Sequence, residues 1–154
     1  MNIYTDGIFD VFHRGHLEFL NNIKKKYTNC KLIVGIINDK DSTSYKRKPI
    51  YDEEDRYFII ENLKCVDNII KNAPLILDND FINKNKIDLV VHGFSDPKDI
   101  EKQKDFFEVP LKLNKFERRF SIEKDFVFQN YEDLICCKDV DIIYIALPNS
   151  LHHF

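Results

Sequence analysis

Short runs of apolar residues alternate with amphipathic stretches along most of this chain. A run that is apolar at nearly every position is typical of a parallel strand buried on both faces, and apolar residues three or four apart indicate a helix. Predicted strands cover residues 1–5, 32–37, 68–71 and 87–92, and predicted helices cover residues 14–27, 52–63 and 79–85. The polar stretch 38–51 is predicted to be a flexible loop. Strands alternating with helices predict an α/β fold, a Rossmann-like open parallel sheet with flanking helices.

The residues between the first strand and the first helix carry the strongest chemical signal. Asp6-Gly7-Ile8-Phe9-Asp10 leaves the strand, and His13-Arg14-Gly15-His16 opens the helix. Gly7 is expected to let the backbone leave the strand at dihedral angles that other residues avoid. Histidines three apart share one face of a helix, at the end where unpaired amides attract anions. Since Gly15 has no side chain to block a phosphate, the pattern predicts a phosphate-binding site.

Each candidate also has a plainer interpretation. Two histidines at a helix start often do no more than cap it, and a zinc site would need third and fourth ligands that do not accompany this pair. Lys46 lies in a basic run that is usually a solvated loop, Arg56 suits an exposed helix position, and His92 suits a structural role at a strand end. However, the motif, Lys46 and His92 all follow carboxyl ends of predicted strands, where open parallel sheets collect ligands.

Composition narrows the class of protein. The chain has 154 residues, of which 44% are hydrophobic and 13% aromatic, which suffices for a packed core and argues against bulk disorder. Its net charge of −3 argues against a general nucleic-acid binder, so no nucleic-acid partner is expected. The four cysteines form no C-x-x-C pair, no signal peptide precedes the first strand, and no apolar run approaches membrane-spanning length. These features favour a cytoplasmic protein without a membrane segment.

The motif as a whole, D-G-I-F-D-x-F-H-x-G-H, resembles the signature of the cytidylyltransferases that activate phosphocholine, phosphoethanolamine and glycerol 3-phosphate. The resemblance runs from about residue 2 to about residue 116 and includes E-D-R-Y at 54–57, K-C-V-D at 64–67 and V-V-H-G at 90–93. It implies a nucleotidyltransferase that combines CTP with a phosphorylated amino alcohol, phosphoethanolamine or phosphocholine. The products would be a CDP-alcohol, a precursor for phospholipid or glycoconjugate synthesis, and pyrophosphate. The resemblance further implies Mg²⁺ on the CTP phosphates, no NAD, no metal ligands from the protein, and a homodimer.

The resemblance also assigns roles to single residues. The implied catalytic residues, which stabilise charge in the transition state, are His13, His16 and Lys46. The implied CTP-binding residues are Gly7, Ile8, Phe9, Asp10, Gly15 and Arg56. The implied residues for binding the phospho-alcohol are Asp6, Lys46 and His92. Arg56 would either approach the triphosphate or brace the loop that carries Lys46.

Two departures from the family pattern keep other functions open. Leu75 stands where the choline enzymes often have an aromatic residue, which weakens the case for phosphocholine. The closing R-T-x-G-I-S-T-like segment of the family is replaced by E-R-R-F-S at residues 117–121. The alternative is therefore a catalytically impaired nucleotide-binding protein. An adenylyltransferase with the same H-x-G-H motif is a further alternative, which the choice of nucleotide would distinguish.

The C-terminal part has a different resemblance. Residues 118–154 resemble a fragment of the Gfo/Idh/MocA oxidoreductases, because an apolar strand at 142–147 is followed by Pro148-Asn149. The chain lacks the G-x-G-x-x-G turn of that family, so no dehydrogenase activity is expected. The predicted domains are a nucleotidyltransferase domain at 1–117 and, at 118–154, a truncated oxidoreductase-like fragment or a short α/β extension.

Overall fold

Five parallel strands form the sheet in the part of the chain that this computed structural model describes, residues 1–94 and 97–120. The strands are β1 (Asn2–Gly7), β2 (Lys31–Ile36), β3 (Asn68–Lys71), β4 (Leu89–Phe94) and β5 (Phe116–Phe120). Their order across the sheet is β3-β2-β1-β4-β5, and each neighbouring pair is parallel. This arrangement confirms the predicted Rossmann-like sheet.

Helices occupy the connections between the strands. They are α1 (Arg14–Lys26), α2 (Asp39–Tyr45), α3 (Glu53–Glu61), α4 (Asn79–Lys84), α5 (Pro97–Gln103) and α6 (Glu108–Lys112), with a 3-10 helix at Lys104–Phe107. The side chains of Asp52 and Asp78 accept hydrogen bonds from the first turns of α3 and α4, which explains where these predicted helices begin. Within the described residues no helix is long and apolar enough to cross a membrane.

Both faces of the sheet are buried, because successive residues of a strand point to opposite sides. One cluster packs α1 and α3 against the sheet and includes Ile3, Leu20, Ile23, Leu32, Ile60 and Val91. The other packs α4 and the 3-10 helix against the opposite face and includes Tyr4, Ile33, Ile82, Val90 and Phe107. The two clusters cover both faces of β1, the middle strand of the sheet.

The expectation of a flexible loop over residues 38–51 is wrong for its first half, where α2 forms. The side chain of Asn38 accepts a hydrogen bond from the backbone N–H of Asp41 at 2.6 Å and so caps the helix. Ser42 is the buried residue of α2. The helix therefore lacks the apolar stripe by which an amphipathic helix is predicted from sequence.

Strand β5 lies outside the predicted strands and crosses the predicted domain boundary at residue 117. It pairs with β4 from Val90 opposite Phe116 to Phe94 opposite Phe120. The first compact unit of the chain accordingly runs from Met1 to Ser121. The division into two domains of different origin stays a prediction, since most of the predicted C-terminal fragment lies outside the described residues.

Candidate active site

Asp6 and His92 meet on neighbouring strands near the middle of the sheet. Tyr4 of β1 lies opposite Val90 of β4, and the same register brings Asp6 level with His92. The strand order also reverses at β1, since β2 lies on one side of it and β4 on the other. Open α/β sheets bind ligands at such a switch point, beyond the carboxyl ends of the strands. The fold therefore supports the predicted location of the site.

The two histidines of the motif cap the N-terminus of α1. Nδ1 of His13, the N-cap residue, accepts a hydrogen bond from the backbone N–H of Gly15 at 3.0 Å. In return, Nδ1 of His16 accepts a hydrogen bond from the backbone N–H of His13 at 3.4 Å. The two rings stack with their centroids 4.0 Å apart. The interpretation as a helix cap is therefore correct, but capping uses only one nitrogen of each ring.

The cap determines which nitrogen carries the proton. A neutral imidazole whose Nδ1 accepts a hydrogen bond carries its proton on Nε2. Burial and, to a smaller extent, the neighbouring His13 lower the pKa of His16 to about 4, while the charge of Asp10 opposes the shift. Phe9 and Phe12 cause part of this burial, since their rings lie 5.7 and 5.5 Å from the His16 ring. His16 is therefore neutral near pH 7 and offers an Nε2–H donor.

Gly15 has a structural reason to lack a side chain, in addition to leaving room for a phosphate. A Cβ atom at this position would lie 2.9 Å from Cε1 and 3.1 Å from Nδ1 of His13. Such distances are too short for the ring to stay where it is. Gly15 is therefore what allows the His13 ring to cap the helix.

The expectation that Gly7 takes an unusual backbone conformation is wrong. Gly7 remains in β1, and the left-handed conformations of this loop belong to Phe9 (φ 55°) and Val11 (φ 45°). Residues other than glycine adopt such angles only where the surroundings hold them there. Phe9 is held by burial, with 6% of its surface exposed.

Asp10 links the motif to the segment that follows α2. Its Oδ1 atom accepts hydrogen bonds from the backbone N–H groups of Ile50 and Tyr51 at 2.9 and 3.0 Å. Its Oδ2 atom lies 3.0 Å from Nη2 of Arg47. Burial raises the pKa of Asp10, but the two backbone hydrogen bonds and the Arg47 charge outweigh burial, and the pKa is lowered. Asp10 is therefore ionised near pH 7.

Lys46 lies at the end of α2, of which it is the C-cap residue. Its side chain is exposed, and Nζ lies 5.6 Å from the centroid of the Tyr45 ring. The contacts of Lys46 within the described residues do not include His13 or His16. The structure thus brings the two predicted catalytic histidines together and leaves Lys46 apart from them.

Arg56 lies behind the loops of the site, fully buried. Four of its five N–H donors are used by protein acceptors, with distances between 2.6 and 3.2 Å. The acceptors are the backbone carbonyls of Ile8, Ile37 and Tyr51 and the carboxylate of Asp39. Of the two roles expected for Arg56, these contacts match the bracing of the loops.

Asp6 and His92 form a buried pair. Nδ1 of His92 lies 2.6 Å from Oδ1 of Asp6, and the two side chains are 9% and 2% exposed. Because a carboxylate can only accept, the shared proton belongs to Nδ1 of His92. Nδ1 of His92 is therefore a hydrogen-bond donor, whereas the Nδ1 atoms of His13 and His16 are acceptors.

Aromatic residues outside the predicted site pack against His92. The ring of Phe107 lies 4.4 Å from the His92 ring, and the ring of Phe94 lies 4.8 Å from it. The adjacent pair Phe106-Phe107 lies in an otherwise mostly charged stretch, which is the sequence signal that marks a buried position there.

Asp6 and Asp99 both lie near enough to Tyr45 to affect its pKa. Burial raises the pKa of Tyr45, and the negative charges of Asp6 and Asp99 raise it further. The Tyr45 ring packs edge-on against Phe106, with centroids 5.5 Å apart. Sequence reasoning missed these residues, because Tyr45 belongs to a helix expected to be a loop and Asp99 to a stretch without a predicted element.

The described residues lack the pattern of side chains that binds a metal ion. Among residues 1–94 and 97–120 there is no group of three or more His, Cys, Asp or Glu side chains placed to hold a metal ion.

Comparison with known proteins identifies the family. The sequence profile of the family described as cytidylyltransferase-like matches residues 4–140, well over half of the chain. The chain belongs to the cytidylyltransferase-like family. This membership confirms the resemblance stated for residues 2–116, and the match continues past the predicted boundary at residue 117.

Several named cytidylyltransferases are similar to part of this chain. Over 92 residues, 60% of the chain, it is 40% identical to choline-phosphate cytidylyltransferase 2 of Arabidopsis thaliana and 36% identical to choline-phosphate cytidylyltransferase A of Homo sapiens. Over 91 residues it is 30% identical to a probable ethanolamine-phosphate cytidylyltransferase of Encephalitozoon cuniculi. The match spans 30%, 25% and 28% of these relatives, less than a third of their length.

A solved structure has the same fold. It is the crystal structure of the lipopolysaccharide core biosynthesis protein from Thermoplasma volcanium GSS1, with a TM-score of 0.58 and 25% sequence identity. The similarity covers 78% of this chain and 93% of that protein. The fold observed for this chain is therefore also found in a solved structure.

Proposed function

We propose that this protein is a CTP-dependent cytidylyltransferase that transfers CMP to a phosphorylated amino alcohol, phosphoethanolamine or phosphocholine. The products are a CDP-alcohol and pyrophosphate. The observation that carries the proposal is the pair of histidines at the N-terminus of α1, each with its Nδ1 atom occupied by a backbone amide. Membership of the family and the names of its relatives support the reaction class.

In this reaction a phosphate oxygen of the substrate attacks the α-phosphorus of CTP. The bond from the α-phosphorus to the oxygen that bridges to the β-phosphorus breaks, and pyrophosphate leaves with the bonding electrons. Negative charge develops on the α-phosphate and on the leaving group. An Nε2–H group of a neutral histidine stabilises this charge without giving up its proton, and the helix dipole adds to the effect. Lys46 provides a compact ammonium on a flexible stem that can reach both reacting anions.

The surroundings of Asp6 favour an amino alcohol over glycerol 3-phosphate. Asp6 and Asp99 both lie close enough to Tyr45 to raise its pKa. The ring of Phe106 packs edge-on against the ring of Tyr45. Carboxylates and aromatic faces attract an ammonium group. The rings of Tyr45 and Phe106 offer the aromatic face that Leu75 does not have. The proposal therefore includes phosphocholine alongside phosphoethanolamine.

The proposal includes Mg²⁺ bound to the phosphates of CTP, where it neutralises charge. Mg²⁺ usually binds nucleotides in this way and keeps several water ligands. The proposal also includes a homodimer. Light scattering is expected to give twice the 18.4 kDa of one chain, and a mass of one chain would remove the dimer from the proposal.

The test is pyrophosphate release from CTP and Mg²⁺ with phosphoethanolamine, phosphocholine or glycerol 3-phosphate. We expect release with an amino alcohol, and we expect His16→Ala to slow it by roughly 10²–10³-fold, the usual effect of removing one preorganised donor. The matched control is Arg14→Ala in the same turn, because the Arg14 side chain is 89% exposed. CTP binding without pyrophosphate release would reject the enzyme and favour the nucleotide-binding alternative. Release from ATP in preference to CTP would favour the adenylyltransferase.

A further inference from the structure

The carboxylate of Asp10 is directed at a segment that has no role in the reaction proposed above. This segment, residues 47–51, is called the strap here. Asp10 accepts the backbone N–H groups of Ile50 and Tyr51 and forms an ion pair with Arg47. Oδ1 therefore holds the strap through two hydrogen bonds, and Oδ2 contacts it through the ion pair with Arg47 alone.

A second anchor holds the strap from the other side. Nε of Arg56 donates to the carbonyl of Tyr51 at 3.2 Å, and Nη1 of the same side chain donates to the carbonyl of Ile8 at 2.6 Å. Pro49 is buried within the strap. Both anchors belong to, or bind, the loop that also carries His13. The strap and the histidines are thus attached to the same short piece of backbone.

Lys46 immediately precedes the strap and is exposed. The backbone of Lys46 is held on one side by α2 and on the other by the strap. The positions that its ammonium group can reach therefore depend on whether the strap stays in place. We propose that Asp10 is a positioning residue that holds the strap and thereby sets the reach of Lys46 toward the histidine pair, in place of the CTP-binding role expected from sequence. This inference rests on the proposed function, because it assigns Asp10 to the action of Lys46.

Limited digestion with trypsin tests the anchoring without any need for activity. Trypsin cleaves after Lys46 and after Arg47 when the strap leaves Asp10, so the product that ends at Lys46 is followed by mass spectrometry. The bond after Lys48 precedes Pro49 and resists cleavage. We expect cleavage after Lys46 to be about two- to fivefold faster in Arg47→Gln, which loses a partly exposed ion pair. We expect it to be about tenfold faster or more in Asp10→Ala, which also loses two hydrogen bonds to a charged acceptor. Asp10→Asn should lie between these two variants.

Two controls separate release of the strap from general loss of stability. Asp78→Asn makes the same chemical change at the cap of α4, away from the strap, and should leave cleavage after Lys46 unchanged. Arg47→Gln alters a side chain that is 65% exposed and should lower the thermal midpoint by no more than about 4 °C, which corresponds to the fivefold limit. Equal cleavage rates in wild type and Asp10→Ala would overturn the positioning role.

A double-mutant cycle tests whether Asp10 acts through Lys46. We expect Asp10→Asn to lower kcat roughly tenfold or more with little change in KM for CTP, because misplacement of a reacting group mainly affects the transition state. In a Lys46→Ala background the same change should have little further effect, since the group being positioned is gone. A raised KM for CTP, with effects that multiply in the double variant, would instead identify Asp10 as a CTP ligand. No pyrophosphate release from the wild type overturns the proposed function and this role together, whereas unchanged trypsin cleavage overturns this role alone.

Discussion

Replacing Arg56 by methionine tests the role of the most deeply buried charge in the described chain. The change keeps an unbranched side chain of similar length and removes the guanidinium. It leaves the carbonyls of Ile8, Ile37 and Tyr51 without their donor and leaves Asp39 without its cation. If Arg56 braces the loops, the free energy of unfolding should fall in the absence of any nucleotide.

The contacts of Arg56 indicate the size of this loss. Removing one partner of a buried ion pair costs about 3–5 kcal/mol. Asp39 is 36% exposed, so water can solvate its freed carboxylate, and the lower part of the range applies. We expect a loss of about 3–4 kcal/mol, which lowers the thermal midpoint by roughly 12–16 °C for a unit of this size. The stability of Arg56→Lys should lie between those of wild type and Arg56→Met, because one ammonium group keeps the charge but cannot make all four contacts.

Urea unfolding and thermal melting of the ligand-free protein measure this effect. The matched control is Arg14→Met, which removes an exposed arginine from an i,i+4 ion pair with Glu18 and should change stability by no more than about 0.5 kcal/mol. A thermal midpoint for Arg56→Met within 2 °C (roughly 0.5 kcal/mol) of wild type, together with a raised KM for CTP, would refute the bracing role. That result would identify Arg56 as a ligand of the triphosphate.

Three other predictions concern the histidines. The pKa of His16 is about 4 in the folded chain against 6.5 when unperturbed, so the unfolded state binds more protons than the folded state as the pH falls. Between pH 6.5 and pH 4 the free energy of unfolding should therefore drop by about 1–2 kcal/mol more for wild type than for His16→Asn, a figure discounted for the partly exposed ring. Urea titrations at the two pH values measure this difference. Gly15→Ala should slow pyrophosphate release at least about tenfold, because it displaces the His13 ring. Its thermal midpoint should change little, because the lost cap and the better helix former are each worth about 1 kcal/mol and oppose one another. An unchanged rate would contradict the role of Gly15. His92→Asn should raise KM for the phospho-alcohol more than KM for CTP in initial-rate assays, and equal increases would remove the assigned substrate contact.

Local signals in the sequence were sufficient for much of the fold. Continuous apolar runs gave β1, β2 and β4 within two residues at each end, because a strand buried on both faces has little room for polar residues. Asp52 and Asp78 marked the beginnings of α3 and α4, because a cap is formed by neighbouring residues. The histidine pair was located for the same reason, since its geometry depends on one helical turn.

Other features depended on residues far apart in the chain. Asp6 and His92 are 86 positions apart, and only the pairing of β1 with β4 brings them to 2.6 Å. Whether Arg56 was exposed or buried stayed open in the sequence, because a charge is buried only where the fold supplies acceptors from several loops. Strand β5 and the packing of Phe94 and Phe107 on His92 likewise required the assembled sheet, whereas α2 was missed because it has no apolar stripe. The sequence by itself determined the chemistry of the motif and the order of the elements, and the tertiary structure decided which side chains face each other, because those contacts join segments that local patterns do not connect.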